Sequence, residues 1–109
     1  MRLSKILDIE NLKFGRGDGL IPVVVQDCIS LVVLELAHIN KEALQRTINT
    51  KYAHYYDQAE KRVIKKGNKF GNVQRVQEIL VDCTKSALIF QVVQKGLACQ
   101  FWMRSCFHI

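Results

Sequence analysis

The sequence predicts a mainly β or α+β fold, built as a small twisted sheet or pseudobarrel with one main helix. Short apolar runs of strand length recur along the chain, Gly/Asn-rich turns separate several of them, and one segment carries helix-capping residues. The length fits one domain over residues 1–109. We therefore expect five or more strands around a single helix, in an order that the pattern leaves open.

The first predicted strands form a hairpin. Residues 20–27, LIPVVVQD, follow the turn cluster GRGDG and are rich in β-branched side chains. Residues 31–37, LVVLELA, are a second apolar run of strand length, and the short connection between the runs favours a hairpin. Pro22 is the only proline and lies near the start of the first run, where its missing N–H is tolerated.

The predicted helix covers residues 41–49. Asn40 is a good N-cap residue, and Glu42 in the first turn suits the positive end of the helix dipole. Glu42 and Arg46 are spaced four apart, so they can form a supporting ion pair. The remaining expected strands are 52–57, 61–66, 73–82 and 87–94, with a Gly/Asn turn at 66–72 and a final loop, with a short strand, at 96–107.

The net charge of +6 favours anionic partners without choosing among nucleic acid, phosphorylated metabolites and acidic proteins. Much of the excess charge is expected on a solvated basic hairpin, at Lys61, Arg62, Lys65, Lys66, Lys69 and Arg75. No apolar run approaches the roughly 18 residues of a membrane span. The N-terminus has acidic residues and lacks the apolar core of a secretory signal, so we expect a cytoplasmic, reducing setting.

Four cysteines raise the question of a metal site. Cys28 ends an apolar strand and fits core packing, since free cysteine is among the most buried residue types. Cys83, Cys99 and Cys106 fall at a strand end and in a loop, where ligands are commonly found. Their spacing differs from that of zinc fingers, although three thiolates with an open fourth position would suit a catalytic zinc. These residues alone leave metal binding and core packing equally open.

Four segments, in order and spacing, resemble the phosphoribosyl-AMP cyclohydrolase family: GDGLIPVVVQD, NKEALQRTINT with AHY soon after, KKGNKFGNVQRVQEILVDC and KGLACQFWMRSCF. The resemblance runs from about Leu12 to Phe107. It implies an enzyme of histidine biosynthesis that hydrolyses the N1–C6 bond of the adenine ring in phosphoribosyl-AMP. It also implies an intertwined homodimer with zinc at the interface, bound by Cys83, Cys99 and Cys106, one from one chain and two from the other.

The resemblance also assigns roles to individual residues. His54 and Arg104 are the implied catalytic residues. The implied substrate is a phosphorylated, nucleotide-like small molecule, and the implied substrate-binding residues are Asn72, Gln74, Arg75, Lys85 and Arg104. Forked arginine donors fit phosphate well, and a basic surface suits a substrate with two phosphate groups.

The sequence departs from the family pattern at several places, and two of these bear on metal binding and proton transfer. The family's acidic loop, Asp-Cys-Asp-x-Asp, holds magnesium with three aspartates, whereas here it reads DCTKS and keeps only Asp82. One carboxylate beside a lysine is a poor magnesium site, so we expect no tight magnesium binding, and Lys85 could replace part of the ion's charge. Gln100 stands in place of a family histidine and cannot shuttle a proton at neutral pH.

Three alternatives to an unaltered cyclohydrolase therefore stay open. The chain could act on a different substrate with the zinc chemistry kept, or be a zinc-stabilised dimeric binding or structural protein without catalysis. A small basic nucleic-acid-binding protein is the least favoured alternative. It would use the basic region together with stacking by Tyr55, Tyr56 and Phe70, but the chain lacks a specific RNA or DNA motif.

Overall fold

A five-stranded mixed sheet and a two-stranded hairpin make up most of the described structure. The computed structural model describes residues 1–3, 9–14, 19–67, 71–95 and 107. In chain order the elements are β1 (Arg2–Leu3), a 3-10 helix (Ile9–Asn11), β2 (Ile21–Asp27), β3 (Val33–Ile39), α1 (Lys41–Thr50), β4 (His54–Asp57), β5 (Arg62–Lys65), β6 (Gln74–Val81) and β7 (Leu88–Gln94). The predicted mainly β fold with one main helix is confirmed, and the expected final strand in 96–107 falls almost entirely outside the described residues.

The strand order of the large sheet is β1-β6-β7-β2-β3. β2 and β3 form the predicted antiparallel hairpin, and β6 pairs antiparallel with β7. β1 pairs parallel with β6, and β2 pairs parallel with β7. β4 and β5 form the second, antiparallel sheet. Main-chain bonds join the two sheets through Ala53, whose N–H donates to the Gln74 carbonyl (2.9 Å) and whose carbonyl accepts from Lys66 (3.0 Å).

The β2–β3 turn corrects one predicted boundary. The second strand begins at Val33 instead of residue 31, because Leu31 adopts a left-handed conformation with φ 64°. The Asp27 carboxylate organises this turn by accepting from the main-chain N–H groups of Ile29 (3.1 Å) and Ser30 (2.7 Å). The apolar run therefore contributes its first residues to the turn.

Pro22 lies in β2, which is a central strand of the sheet. The parallel pairing of β2 with β7 begins only at Val23, so the missing N–H of Pro22 breaks no bond of that ladder. The predicted position near the start of the strand is confirmed.

Helix α1 matches the predicted segment to within a residue. The Asn40 side chain accepts a hydrogen bond from the Ala43 N–H (2.8 Å), which satisfies one of the free donors of the first turn. The helix ends at Lys51, which has φ 68° and donates its N–H to the Thr47 carbonyl (2.8 Å). Local capping signals therefore fix both ends.

The core lies between the large sheet, helix α1 and β4. Among the described residues its largest fully buried side chain is Phe90, whose ring stacks on buried Tyr55 with centroids 6.0 Å apart. The other large, fully buried apolar side chains are Ile21, Val23, Val25, Leu34, Ile39, Leu44, Val76, Ile79, Leu88 and Val92. Among the helices of the described residues, none is both long and apolar enough to cross a membrane.

Candidate functional site

The loop between β6 and β7, residues 82–87, is organised by one carboxylate and is called the Asp82 loop below. Oδ1 of Asp82 accepts from the main-chain N–H groups of Ser86 (2.8 Å) and Ala87 (3.1 Å). Oδ2 accepts from the hydroxyls of Thr84 (2.8 Å) and Ser86 (3.4 Å). These hydrogen bonds lower the pKa of Asp82 from its ordinary value, and the bond from the Thr84 hydroxyl has the largest effect. The carboxylate is therefore ionised at neutral pH.

The Asp82 loop does not fit a magnesium ion. A carboxylate offers about four acceptor positions, and donors of the loop itself occupy three of them at 2.8–3.1 Å. The Ser86 hydroxyl, whose single proton is shared with Thr84, faces the fourth position at 3.4 Å. The two positions where the family pattern has further aspartates carry hydroxyls, Thr84 and Ser86, that contact each other at 2.6 Å. Lys85 has φ 60°, and its carbonyl accepts from the Lys13 N–H (2.8 Å). Internal hydrogen bonds therefore shape this loop without a cation.

We predict that magnesium titrated into the wild-type protein gives no binding isotherm in calorimetry below about 1 mM. The matched variant is the double substitution Thr84→Asp/Ser86→Asp, which restores three carboxylates to the loop and should bind magnesium. Micromolar affinity in the wild type that disappears in Asp82→Ala would contradict this prediction.

Cys83 lies in the Asp82 loop and is exposed with a free thiol, whereas Cys28 is half-buried after β2. An exposed thiol at a strand end fits a zinc ligand, because the thiolate is a ligand that zinc favours. Cys99 and Cys106 lie outside the described residues. Within the described part of the chain, no group of three or more His, Cys, Asp or Glu side chains could hold a metal. The three-cysteine zinc site therefore stays a prediction.

Five polar side chains from five different parts of the sequence meet inside the protein; we call them the buried polar cluster. They are Glu35, Tyr55, Lys66, Gln74 and Gln94. Gln74 is fully buried and lies at the centre. Its Nε2 donates to Glu35 (3.0 Å) and to Oε1 of Gln94 (2.7 Å), and its Oε1 accepts from the Tyr55 hydroxyl. The amide predicted to contact substrate is thus engaged within the protein on both sides.

Charge and burial fix the hydrogen-bonding roles in this cluster. Glu35 accepts from Gln74 and forms an ion pair with Lys66 at 3.2 Å. Burial, and then the charge of Glu35, raise the pKa of Tyr55 well above 10.0, so its hydroxyl stays protonated and donates. Sequence reasoning missed every member except Gln74. The one available signal was Glu35, a charged residue inside the apolar run 31–37, which implies a buried partner.

His54, a predicted catalytic residue, is buried at the start of β4. Its Nδ1 lies 2.8 Å from the Tyr52 carbonyl, which can only accept, so Nδ1 carries the proton. Burial, and smaller effects of Arg46 and Lys65, lower the pKa of His54 below 6.5. The imidazole is therefore neutral at pH 7 and keeps a lone pair at Nε2.

The lowered pKa of His54 predicts a pH dependence of stability. Because the folded-state pKa lies below that of the unfolded chain, the stabilisation is complete above pH 6.5 and is lost as pH falls toward the folded-state value. His54→Gln should flatten the decline of unfolding free energy below pH 6.5, measured by urea denaturation at several pH values. His38→Gln, on β3, is the control for loss of an imidazole. An equal slope in wild type and His54→Gln would contradict the prediction.

The remaining predicted site residues lie at two ends of β6. Arg75 is exposed and Asn72 is half-buried at the start of this strand, while half-buried Lys85 follows its end. Six residue steps from Arg75 to Val81 span about 20 Å. One chain therefore does not bring Arg75 and Lys85 together. Arg104 and Gln100 lie outside the described residues.

Comparison with known proteins supplies the family. The sequence pattern described as phosphoribosyl-AMP cyclohydrolase matches residues 35–108. The chain is 42% identical to a Phosphoribosyl-AMP cyclohydrolase of Methanococcoides burtonii, over 94% of this chain and 84% of the relative. It is 47% identical to a Phosphoribosyl-AMP cyclohydrolase of Methanoregula boonei, over 89% of this chain and 78% of that relative. It also matches the Histidine biosynthesis bifunctional protein HisIE of Pyrococcus furiosus at 43% identity, over 99% of this chain and 50% of that protein.

These matches cover most of the chain and of the two shorter relatives, at identities well above those of chance similarity. They confirm the resemblance that the motifs indicated. The chain belongs to the phosphoribosyl-AMP cyclohydrolase family.

Proposed function

We propose that the protein opens the adenine ring of phosphoribosyl-AMP by hydrolysis of its N1–C6 bond, as a step of histidine biosynthesis in the cytoplasm. Membership of the family carries this proposal, since relatives named for that activity match across most of their length. In a reducing compartment the thiols of Cys83, Cys99 and Cys106 would persist and be available to zinc.

In this proposal Cys83, Cys99 and Cys106 hold a zinc ion. When bound, the metal would lower the pKa of a coordinated water to about 7 and supply a nucleophile at neutral pH. His54 is the proposed proton acceptor at Nε2, because its Nδ1 already donates to the Tyr52 carbonyl. Gln100 contributes no proton transfer at neutral pH. Magnesium has no role in this proposal.

The dimensions of the β6–β7 pair support a zinc site shared between two copies of the chain. Lys95 follows the end where Gln94 pairs with Gln74, and Asp82 follows the other end, where Leu88 pairs with Val81. Lys95 lies seven residue steps from Leu88, which is level with Val81, and Asp82 lies one step beyond Val81. Along the strand direction Lys95 and Asp82 are therefore about 26 Å apart. Four residues of extended chain, the interval from Lys95 to Cys99, reach at most about 14 Å.

The remaining main-chain gap of about 12 Å exceeds the roughly 9 Å that two cysteine side chains can bridge through one zinc ion, on which two thiolates lie about 4 Å apart. Cys99 would therefore meet Cys83 of a second copy more readily than Cys83 of its own chain. The same argument applies to the substrate: Arg75 and Lys85 of one chain lie too far apart to share one phosphate. A homodimer with sites at its interface satisfies both constraints.

Lys85 is the proposed phosphate contact next to Cys83. We predict that Lys85→Ala weakens AMP binding about fivefold, as loss of one partly exposed charge contact allows. Lys61→Ala is the matched control, because Lys61 also adopts a left-handed conformation (φ 55°) but lies in the β4–β5 turn. Fluorescence or calorimetric titration with AMP measures both variants. Equal affinity in Lys85→Ala and the wild type would remove Lys85 from the site.

The test of the proposed function is a purine ring-opening assay on phosphoribosyl-AMP, combined with zinc analysis of the same purified protein. Turnover that depends on zinc supports the proposal. Zinc without turnover would favour the second candidate, a zinc-stabilised binding or structural dimer. The hydrogen bonds that engage Asp82 within its own loop support this candidate, because they leave the carboxylate less available to magnesium. Absence of both zinc and turnover would reject the proposal.

A further inference from the structure

The hydrogen bonds of Gln94 extend the buried polar cluster to the main chain. Its Oε1 accepts from Gln74, so its Nε2 faces the opposite way. Nε2 donates to the carbonyls of Asn72 (2.9 Å) and Lys95 (3.0 Å). A main-chain bond from the Lys95 N–H to the Val73 carbonyl (2.9 Å) lies beside them. One side-chain amide thus ties together the chain entering β6 and the chain leaving β7.

The orientation of this amide is set from inside the protein. The Glu35 carboxyl accepts from Nε2 of Gln74 and pairs with Lys66, so it fixes which end of the Gln74 amide faces it. Gln74 then presents a donor to Gln94, which forces the Gln94 amide to direct its own donors at the two carbonyls. Lys66 holds Glu35 by their ion pair, and both side chains are largely buried, at 22% and 11% exposed. Each member therefore determines the direction of the next.

We propose that Gln74 and Gln94 are positioning residues of the enzyme, which hold the Asn72 and Lys95 carbonyls in an arrangement set by Glu35 and Lys66. The inference rests on the proposed function for its catalytic meaning. Asn72 and Arg75 are predicted substrate contacts, and Lys95 precedes in sequence the part of the chain that carries Cys99, Arg104 and Cys106. Gln74 acts through these neighbours and does not touch the substrate.

Small displacements of substrate-binding groups cost much activity, since catalysis needs its groups within a fraction of an ångström. The Gln94 side chain is nearly buried, so water cannot easily replace its amide. If an apolar side chain takes its place, the Asn72 and Lys95 carbonyls lose this hydrogen-bond donor and gain no other. The expected loss is in substrate binding, because the anchored segment begins with Asn72.

The test is Gln94→Met, which keeps the size of the side chain and removes its hydrogen bonds. Its matched control is Gln91→Met, on the same strand, where the glutamine donates only a side-chain bond to Gln26 (2.9 Å). We expect Gln94→Met to raise KM about 10-fold with a smaller change in kcat, and Gln91→Met to change neither. In hydrogen-exchange mass spectrometry, peptides covering residues 71–75 and 95 should exchange faster in Gln94→Met alone.

A second pair of variants tests the direction of the arrangement. Glu35→Gln keeps an acceptor for Gln74, whereas Glu35→Leu removes it, so exchange at residues 71–75 should be faster in Glu35→Leu. If Gln94→Met and Gln91→Met match each other in KM and in exchange, the inference is overturned. If the wild type itself gives no turnover, the proposed function has failed, and the exchange measurements alone decide whether the cluster holds these segments.

Discussion

Replacement of Cys83 by alanine is expected to remove bound zinc and to lower turnover by at least about 100-fold. Substitution of residues that only support the ligands of a metal costs up to about 100-fold, and loss of a ligand itself should cost no less. The fold should survive, because Cys83 is exposed in the Asp82 loop. Cys28→Ala, which alters the half-buried cysteine after β2, should keep zinc and activity. Metal analysis measures bound zinc, the ring-opening assay measures turnover, and circular dichroism measures whether the fold is kept. Zinc retained in Cys83→Ala would refute the assignment of this ligand.

Mixing variants then tests whether the zinc site is shared. In a two-fold dimer of one Cys83→Ala chain and one Cys99→Ala chain, one of the two zinc sites lacks both ligands and the other site keeps all three. Random exchange of subunits should therefore restore about a quarter of the wild-type zinc and turnover, although each variant alone is inactive. A site made within one chain would give no recovery in the mixture.

Phe90→Ala is expected to reduce the free energy of unfolding by about 3–5 kcal/mol, the usual cost of removing a buried phenyl ring. Phe90 is fully buried and stacks on Tyr55, so the substitution opens a cavity and also loosens one donor of the buried polar cluster. Since small domains are stable by only about 5–15 kcal/mol, the variant should be near the limit of folding.

Chemical denaturation at a fixed protein concentration measures this loss, because dimer formation would make the apparent stability depend on concentration. Ile29→Ala is the control, since Ile29 is 86% exposed in the β2–β3 turn and its truncation should change stability by less than about 0.5 kcal/mol. A loss below about 1 kcal/mol for Phe90→Ala would show that the core around it is not packed as described.

Local signals predicted the local structure well. The Asn40 cap and the Glu42–Arg46 pair are short-range features, so the helix could be predicted to within a residue. The β2–β3 hairpin followed from two apolar runs and a short connection. The strand order of the sheet could not be predicted, because β2 pairs with β7, whose residues lie more than 60 positions away. No local sequence pattern encodes that contact.

The buried polar cluster shows the same limit for the candidate site. Lys66 was counted among solvated basic residues, and Gln94 ended an ordinary strand, yet both face partners distant in sequence. Polar side chains on short strands look like surface residues until tertiary pairing places them together. Cys83 is exposed with a free thiol, Cys99 and Cys106 lie outside the described residues, and the three zinc ligands stay a prediction.

The parallel pairing of β2 with β7 also has a consequence for synthesis of the protein. During translation the N-terminal half can form the β2–β3 hairpin and helix α1 as soon as they leave the ribosome. The centre of the sheet stays open until β7 has emerged, and long-range pairing of this kind folds slowly. Cys99 and Cys106 follow β7 in the chain, so in the proposed zinc-binding dimer metal loading and assembly with a second copy would come last, after the sheet has closed.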